Sequence, residues 1–302
     1  MARLVYLVGA GYSGSTLFAF LANAHSRVAS VGEATGPNRR HERGAYRCSC
    51  GATLATCAFW KQVGEAMARR GFTFGPDAWD LAFDVGGGRI VRQLAIQSLR
   101  SNVLDEARDT LVLGAPGWGA RLREIGRRNA AFVDAVLEVT GKSIFLDATK
   151  TAPRARLLRR LVDPELRIVH LVRDAPGHVC SQIKNMGASL EAGIRNWKRA
   201  VDHALRLEAH VAADRFLRIR YEDLCTNPGE EMARFARFVG VEPEPLPADF
   251  RDTDHHIIGN RMRIAGAGEI VLDERWRTML TADQIDTVLR RTAEHRRRMG
   301  FS

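Results

Sequence analysis

Apolar residues open the chain as a short run, Arg3–Val8, which contains β-branched and aromatic side chains and ends in glycines. A run of this length and composition predicts a buried strand of a parallel sheet. Apolar residues then return at helical spacing across Gly14–Asn23, where they include Leu17, Phe18 and Leu21. The chain therefore begins as a strand, a loop of glycine and serine, and a helix.

The same unit recurs further along the chain. The predicted strands are Ser143–Leu146, Leu166–Val172 and Phe216–Ile219, and the helices that follow them are Pro153–Leu161, Pro176–Asn185 and Gly229–Phe238. Strands that alternate with helices predict an α/β fold, in which helices cover both faces of a parallel sheet. Ligands of such sheets bind beyond the carboxyl ends of the strands.

The segment from about 60 to 141 is predicted to be mainly helical and contains no clear strand–loop–helix unit. We interpret it as a helical insertion within a single domain over residues 1–302, which either packs on the sheet or shapes a ligand pocket. Residues 36–57 are rich in Gly, Arg and Cys and predict a long loop, a kind of segment that is often functional. Further helices are predicted over Leu190–Ala213 and Ala282–Met299, with an irregular stretch after Pro247.

The composition is that of an ordinary globular protein, with 45% hydrophobic and 26% charged residues. The net charge of +10 favours a polyanionic partner, although it also fits a merely basic surface. The densest basic run, Arg290–Arg298, lies in the last predicted helix and is interpreted as a solvated face. No apolar run is long enough to span a bilayer. The N-terminus resembles a signal peptide, but glycines and serines break its apolar run, so we expect a cytoplasmic protein.

Three of the five cysteines are close together in the sequence, at Cys48, Cys50 and Cys57. They could bind zinc if a fourth ligand such as His41 joined them. Because their spacing matches no common zinc pattern, we expect no metal site. The other two cysteines are interpreted as isolated, small apolar residues.

The loop after the first strand has the glycine spacing of a nucleotide-binding P-loop, G-x-x-x-x-G-K-[ST], at Gly9 and Gly14. Ser15 stands where that motif has its lysine. The amides of Ser13 to Thr16, the helix N-terminus and three hydroxyl groups would still donate to an anion. The loop therefore predicts phosphate binding, while the absent lysine argues against a kinase or ATPase.

Four segments in order resemble the sulfotransferases that use 3′-phosphoadenosine 5′-phosphosulfate (PAPS). They are Gly11–Leu17, similar to the 5′-phosphosulfate loop; Asp147–Lys150, similar to a D-x-[ST]-K segment of bacterial members; Ile168–Asp174 with Ser181, similar to the 3′-phosphate motif; and Arg220–Leu224, similar to an R-Y-E-D-L segment. Cys48–Gly51 with Cys57–Trp60, and Gly259–Arg263, are also similar to bacterial members. The resemblance implies a P-loop-like parallel sheet flanked by helices, with a mainly helical insertion.

The resemblance also implies roles for individual residues in binding PAPS. The loop residues expected to bind the 5′-phosphosulfate are Gly11, Tyr12, Ser13, Gly14, Ser15 and Thr16. Arg173 and Ser181 would bind the 3′-phosphate, unless Arg173 pairs structurally with Asp174 or Glu222. Tyr221 would contact the adenine, although a core tyrosine is an open alternative. Arg261 and Arg263 would belong to a basic loop that covers the 3′-phosphate, or else would be surface arginines.

One position departs from the family. Family members usually carry Lys or Arg in the loop where this chain has Tyr12, and that cation stabilises the bridging oxygen as the nucleotide leaves. Lys150 is our candidate replacement, and Arg39 or Arg40 is the alternative. The catalytic base must accept a proton from the acceptor. We choose Glu33, which lies at the distance from the loop found in the tyrosyl-protein branch, with His255 or His256 as the alternative.

The predicted reaction is transfer of a sulfuryl group from PAPS to a hydroxyl or amine, without a metal. The acceptor could be a carbohydrate, a lipid, a phenol or a peptide, and the oligomeric state is left open. A small-molecule kinase of the P-loop class and a basic nucleic-acid-binding protein are the rival functions. The second would need basic patches with interleaved aromatic residues or a known DNA- or RNA-binding motif, and the sequence contains none that we identify.

Overall fold

A parallel five-stranded sheet with the order β2-β3-β1-β4-β5 organises the computed structural model, which describes residues 3–37, 43–99, 101–251, 253–264 and 269–302. The strands are β1 (Leu4–Val8), β2 (Val28–Ser30), β3 (Ile144–Lys150), β4 (Arg167–Val172) and β5 (Phe216–Arg220). The predicted α/β fold is therefore confirmed. The third strand runs four residues beyond its predicted end, because Tyr6 and Val8 of β1 pair with Asp147 and Lys150.

The other regular elements of the described chain are helices, including three short 3-10 turns at Arg43–Ala45, Ala213–Arg215 and Arg261–Arg263. The α-helices are α1 (Ser15–Ala24), α2 (Ala58–Arg69), α3 (Arg89–Ile96), α4 (Asn102–Gly114), α5 (Pro116–Thr140), α6 (Ala152–Leu161), α7 (Ala175–Met186), α8 (Leu190–Glu208), α9 (Tyr221–Thr226), α10 (Pro228–Val239), α11 (Trp276–Met279) and α12 (Ala282–Arg298). In the described part of the chain, no helix is both long enough and apolar enough to cross a bilayer.

Alternation along β1 divides the core into two layers, one on each face of the sheet. Tyr6 and Val8 face a layer built with α2 and α5, whereas Val5 and Leu7 face α1 and α10. All five residues of β1 are buried. Helical layers on both faces explain why the strand is apolar at every position, as expected for the centre of a parallel sheet.

The region predicted to be helical from about 60 to 141 contains α2 to α5, with an irregular stretch between α2 and α3. Its longest helix begins with Pro116 in the first turn and ends at Gly141, whose φ of 67° is left-handed. Proline at the start and glycine just after the end are the ordinary terminators of a helix. A small core around Ile96, Val112 and Leu157 joins this region to α6.

A late segment extends the sheet region where the sequence predicted irregular chain. The Ile258 amide donates to Val31 O at 2.7 Å, and the Glu33 amide donates to Ile258 O at 3.0 Å. Gly32 and Ile258 thus form an isolated parallel bridge beyond β2. A pairing between residues so far apart in sequence gives no periodic signal, so local patterns could not reveal it.

Candidate active site

The loop between β1 and α1 presents a helix N-terminus at the carboxyl end of the central strand. Gly14 is the N-cap and has a φ of 88°. The Phe18 amide makes the first helical hydrogen bond, to Gly14 O at 3.0 Å. The amides of Ser15, Thr16 and Leu17 precede that bond, so they are free to donate to an anion.

Two further loop residues bear on anion binding. Ser13 is 1% exposed, and its hydroxyl has no hydrogen-bond partner among the described residues. A buried polar atom left unpaired costs stability, so an unpaired hydroxyl in this loop fits a site for a phosphate or sulfate group. Tyr12 has a φ of 65°, and burial, with a smaller effect of the Glu33 charge, raises the pKa of its phenol. Tyr12 therefore supplies no charge to the loop at neutral pH.

Arg173 and Ser181 lie together beside this loop. Arg173 is 5% exposed, and its Nη1 donates to Ser181 Oγ at 3.1 Å and to Tyr12 O at 3.4 Å. Its Nη2 donates to the main-chain oxygen of Asp273 at 2.6 Å and lies 3.2 Å from the Asp273 carboxylate. The two residues expected at a 3′-phosphate are thus in contact, and Arg173 also adjoins the loop.

The structural partners considered for Arg173 are engaged elsewhere. Asp174 pairs with Arg296 at 2.8 Å, and Glu222 accepts the Asp174 amide at 3.0 Å. The alternative in which Arg173 pairs structurally with Asp174 or Glu222 is wrong, because the carboxylate beside Arg173 is that of Asp273. Arg275 and Arg173 both contact Asp273, and the hydrogen bond from Arg275 is the larger cause that holds the pKa of Asp273 well below its usual range.

Tyr221 packs between the loop and Arg173. Its ring centroid is 4.6 Å from the Arg173 guanidinium carbon, and a Cβ atom on Gly14 would lie 2.4 Å from its Cδ2. The side chain is 7% exposed and belongs to the core on the α1 side of the sheet. Gly14 is therefore required both for its left-handed φ and for the close approach of this ring.

Glu33 and Lys150, the two candidate catalytic residues, form an ion pair. Lys150 Nζ donates to Glu33 Oε1 at 2.6 Å and to Ala148 O at 3.2 Å. The lysine side chain is 14% exposed and the glutamate side chain 38% exposed, so the pair faces solvent mainly through the carboxylate. The Gly9 amide donates to Lys150 O at 3.4 Å. This bond holds the lysine at the start of the phosphate loop, residues 9–16 between β1 and the first turn of α1.

Asp147 holds the turn that carries Lys150. One of its carboxylate oxygens accepts the Thr149 amide at 2.9 Å, and the other accepts Arg154 Nε at 2.8 Å. Asp147 is 1% exposed, and Lys150 has a φ of 80°. The buried carboxylate thus satisfies the local donors while the backbone turns Lys150 toward Glu33.

The late basic segment, Gly259–Arg263, also approaches the loop, at Thr16. Arg263 is buried, with its guanidinium carbon 3.9 Å from the Tyr46 ring centroid, and its Nη1 donates to Gly259 O at 2.8 Å. Arg261 is exposed. A Cβ atom on Gly259 would stand 2.9 Å from Thr16 Oγ1. The segment therefore lies against the phosphate loop, but the described contacts of Arg263 are with Tyr46 and main-chain oxygens rather than with the Arg173 region.

The histidines considered as alternative bases have other partners. His255 Nδ1 lies 2.7 Å from the Asn23 side-chain nitrogen, and burial lowers the pKa of His255 to about 4. His256 Nδ1 lies 3.4 Å from Cys57 Sγ. These contacts favour Glu33 among the candidate bases. Arg39, Arg40 and His41 lie outside the described residues.

A cavity of about 900 Å³ lies beside Lys150 and the first residues of the loop, Gly9 to Gly11. Its walls come from the ends of β1 and β3 and from α3, α6, α7 and α8, and most of the side chains that line it are polar. They include Arg92, Gln93, Gln97, Lys150, His178, Gln182, Asn196, Arg199 and His203. The region predicted to be a helical insertion thus supplies one wall through α3.

A comparison of the sequence with models of known protein families finds a match. A model of the "Sulfotransferase family" matches residues 96–245, a range that contains Lys150, Arg173, Ser181 and Tyr221. The chain belongs to the sulfotransferase family. The loop Gly9–Thr16 and Glu33 lie before the matched range of this sulfotransferase. Their expected roles in binding and transfer therefore rest on the geometry and on the resemblance of the segments. No curated protein matches the sequence.

Solved sulfotransferases resemble this one in fold. A sulfotransferase domain from the curacin biosynthetic pathway aligns with a TM-score of 0.50 and 13% identity over 97% of this chain and 98% of that chain. A sulfotransferase domain from the Synechococcus PCC 7002 olefin synthase gives 0.49 and 16% identity over 95% and 94% of the two chains, and a sulfotransferase from Mycobacterium avium gives 0.47 and 12% over 100% and 78%. At this identity the first of these alignments supports the fold alone.

Sequence reasoning missed two residues that shape the site of this sulfotransferase. Asp273 is the ionic partner of Arg173, and Arg154 is the partner of Asp147. Asp273 lies in an irregular stretch, where no motif marked it. Arg154 could have been suspected, because it stands on the helix directly after the D-x-[ST]-K segment and a buried aspartate needs a partner.

Proposed function

We propose that the protein transfers a sulfuryl group from PAPS to a hydroxyl or amine acceptor. One observation carries the proposal: an Arg173–Ser181 pair lies against the phosphate loop, and Arg173 donates to the main-chain oxygen of Tyr12 within that loop. Two anion-binding sites side by side are what a nucleotide with a 5′- and a 3′-phosphate requires. A nucleoside monophosphate or triphosphate would leave the second site unused.

Each residue of the site has a proposed role in holding this donor. The amides and hydroxyls of the loop Gly11–Thr16 would bind the 5′-phosphosulfate, and the unpaired hydroxyl of Ser13 is available for it. Arg173 and Ser181 would bind the 3′-phosphate, with the Asp273 carboxylate giving up its place on the guanidinium. Tyr221, which packs against Arg173 and Gly14, would contact the adenine, and the exposed Arg261 would cover the 3′-phosphate from the late segment.

The ion pair of Glu33 and Lys150 would serve the transfer itself. An oxygen or nitrogen of the acceptor forms a new bond to sulfur, and the bond between sulfur and the bridging oxygen of the donor breaks. Glu33 accepts the proton of the acceptor, while the ammonium of Lys150 and the loop amides stabilise charge on the departing oxygen. Separate acid–base and cationic groups 2.6 Å apart can act on the two ends of one transferring group.

The cavity beside Lys150 is the proposed position of the acceptor. Its mostly polar walls favour an acceptor that carries several hydrogen-bonding groups over a purely apolar one. Carbohydrate, phenol, peptide and a lipid headgroup all satisfy that description. A screen of such acceptors with radiolabelled PAPS would identify the class that is sulfated.

The rival functions make different binding predictions. A kinase requires ATP and magnesium, yet Ser15 stands at the position of the P-loop lysine. A nucleic-acid-binding protein would bind duplex DNA with strong salt dependence. Calorimetry with 3′-phosphoadenosine 5′-phosphate, 5′-AMP, ATP-Mg and duplex DNA separates the three functions. We expect the 3′,5′-bisphosphate to bind much more tightly than the other three.

Arg173→Ala should remove the preference for the bisphosphate over 5′-AMP. Loss of charge-assisted hydrogen bonds to one phosphate costs roughly 1.5–3 kcal/mol, which corresponds to a loss of roughly 10- to 100-fold in affinity. Affinity for 5′-AMP should change little. Arg234→Ala is the matched control, since that arginine pairs with Glu231 on α10, away from the loop. Equal affinity of the unsubstituted protein for the two nucleotides would refute the proposed donor.

A further inference from the structure

Four side chains with metal-ligating atoms meet outside the site described above, and two of them, Cys48 and Cys57, are buried. Cys48, Cys50 and Cys57 come from the loop before α2, and His256 comes from the late segment some two hundred positions further along the chain. Their three sulfurs and one ring nitrogen all lie within 4.8 Å of one another. The sequence placed the three cysteines together and suggested His41 as a fourth ligand, but their spacing matches no common zinc pattern and led us to expect no metal.

We propose that these four residues bind one zinc ion. Zn²⁺ takes thiolate at about 2.3 Å and imidazole at about 2.0–2.1 Å in tetrahedral sites, which places sulfurs about 3.8 Å from each other and about 3.6 Å from the nitrogen. The distance from Cys50 Sγ to Cys57 Sγ is 3.6 Å, and those from His256 Nδ1 to Cys57 Sγ and Cys48 Sγ are 3.4 and 3.7 Å. The spacing fits a single ion, whereas a disulfide would need sulfurs about 2.05 Å apart.

The orientation of His256 supports the same conclusion. Its Nδ1 points to the cysteines, while Nε2 lies 3.0 Å from the Asp254 carboxylate. Histidine ligands of zinc usually donate their second ring nitrogen to a carboxylate or carbonyl, which fixes the tautomer and the ring plane. The ring also stacks on Phe59, with centroids 4.3 Å apart and planes 1° apart. His256 therefore has an outer partner and an aromatic support of the kind that a metal ligand has.

Hydrogen bonds to the backbone hold the segments that carry the four ligands. The Gly51 amide donates to Cys48 O at 3.0 Å, and Gly51 has a φ of 88°, so the chain makes a tight turn at Cys48–Gly51. Cys57 is the N-cap of α2, so the start of that helix fixes the position of its side chain. Ser49 holds the backbone on both sides of His256, since its hydroxyl donates to His255 O at 2.8 Å and accepts the Ile257 amide at 2.7 Å.

The ion would link two segments that shape the active site. Tyr46, two residues before Cys48, donates its hydroxyl to Gly259 O at 2.6 Å, and Gly259 lies against Thr16 of the phosphate loop. Ile258, two residues after His256, pairs with Glu33. The zinc site is therefore structural: it ties the loop of residues 46–57 to the segment that supports both Glu33 and the phosphate loop. This inference does not depend on the reaction proposed above.

Metal analysis of the reduced, tag-free protein tests the proposal. We expect about one zinc per chain and almost no iron. Cys50→Ser, which changes the exposed ligand, should lower the zinc content by at least tenfold, and His256→Asn should do the same. Cys225→Ser is the matched control, because Cys225 is a buried cysteine on α9 outside the cluster, and it should keep the metal.

Two further measurements keep the test decisive if a variant fails to fold. Cobalt added to the metal-free protein should produce the intense d–d absorption of a tetrahedral thiolate site, and a chelator should lower the Tm by about 5 °C or more. Protein with fewer than about 0.1 equivalents of zinc that also fails to bind cobalt would overturn the proposal. So would stoichiometric iron, or a Cys50–Cys57 disulfide in peptides from protein purified under reducing conditions.

Discussion

At the scale of single residues, the ion pair of Glu33 and Lys150 bears on how the proposed site would compensate charge. The family's usual loop cation is absent, and Tyr12 lies in its place as a neutral phenol. Lys150 ends the neighbouring strand β3, where its main-chain oxygen accepts the Gly9 amide, and its ammonium is a compact charge on a flexible stem. A cation of this kind can shift between the carboxylate and a developing oxyanion with little movement.

Lys150→Ala should therefore reduce kcat by roughly 10²- to 10³-fold, the scale of removing one preorganised donor. Its effect on the affinity for 3′-phosphoadenosine 5′-phosphate should be small, since the cation acts mainly in the transition state. Tyr12→Lys in the same chain should restore part of the rate. Single-turnover kinetics together with calorimetry measure both effects.

Lys61→Ala serves as the control for that substitution, because Lys61 is an exposed lysine on α2. Near-normal kcat in Lys150→Ala would contradict the assignment and would move the search for the cation to Arg39 or Arg40.

At the scale of elements, the turn from β1 into α1 depends on the helix α9 packed beside it. Gly14 must be left-handed, and it must also leave room for Tyr221 of α9. The same ring contacts Arg173 at the end of β4, so one aromatic side chain sets the distance between the two proposed anion sites.

Gly14→Ala should lower the free energy of unfolding by roughly 1–3 kcal/mol, because a Cβ atom is strained at this φ and collides with the ring. The affinity for 3′-phosphoadenosine 5′-phosphate should fall at least tenfold, measured by calorimetry on the folded fraction. Gly71→Ala is the matched control: Gly71 has a φ of 81° but nothing within 4 Å of its Cβ position. It therefore carries the backbone cost alone, and an equal loss of affinity there would contradict a specific role for the Gly14–Tyr221 contact.

At the scale of the whole molecule, buried histidines make stability depend on pH. Burial lowers the pKa of His170 to about 3 and that of His178 to about 4, with smaller effects of Arg218 and Arg173 respectively. Both histidines are 1% exposed or less. The unfolded chain protonates these residues near pH 6.5, whereas the folded chain does not, so acidification below that value favours unfolding.

The free energy of unfolding should accordingly fall as the pH drops from about 6.5 toward 4, by roughly 2 kcal/mol per buried histidine at pH 5. Urea denaturation at a series of pH values measures the slope. His170→Met, which replaces one titrating group by an apolar side chain of similar size, should reduce that slope. His210→Asn, at an exposed histidine, should leave it unchanged. An unchanged slope in His170→Met would show that the acid sensitivity arises elsewhere.

Local patterns in the sequence were enough to predict a parallel sheet, four of its five strands and the glycine-containing loop after the first strand, but not β2. These features follow from local patterns: an apolar strand, glycines at a tight turn, and helical spacing of apolar residues recur wherever a strand–loop–helix unit is built. The ends of β1, β4 and β5 lie within a residue of the predicted ones. The contact between Arg173 and Ser181 was also within reach, since both belong to one strand–turn–helix unit.

Contacts between residues far apart in sequence depend on how the elements pack together. Asp273 reaches Arg173, Ile258 pairs with Glu33, and His256 joins the cysteines, although none of these pairs shares a local pattern. The pairing of Glu33 with Lys150 has the same origin, because it depends on β2 lying next to β3 in the sheet. Local periodicity records which face of an element is buried, but ion pairs and ligand sets arise where the ends of separate elements converge, and that convergence is a property of the packed chain.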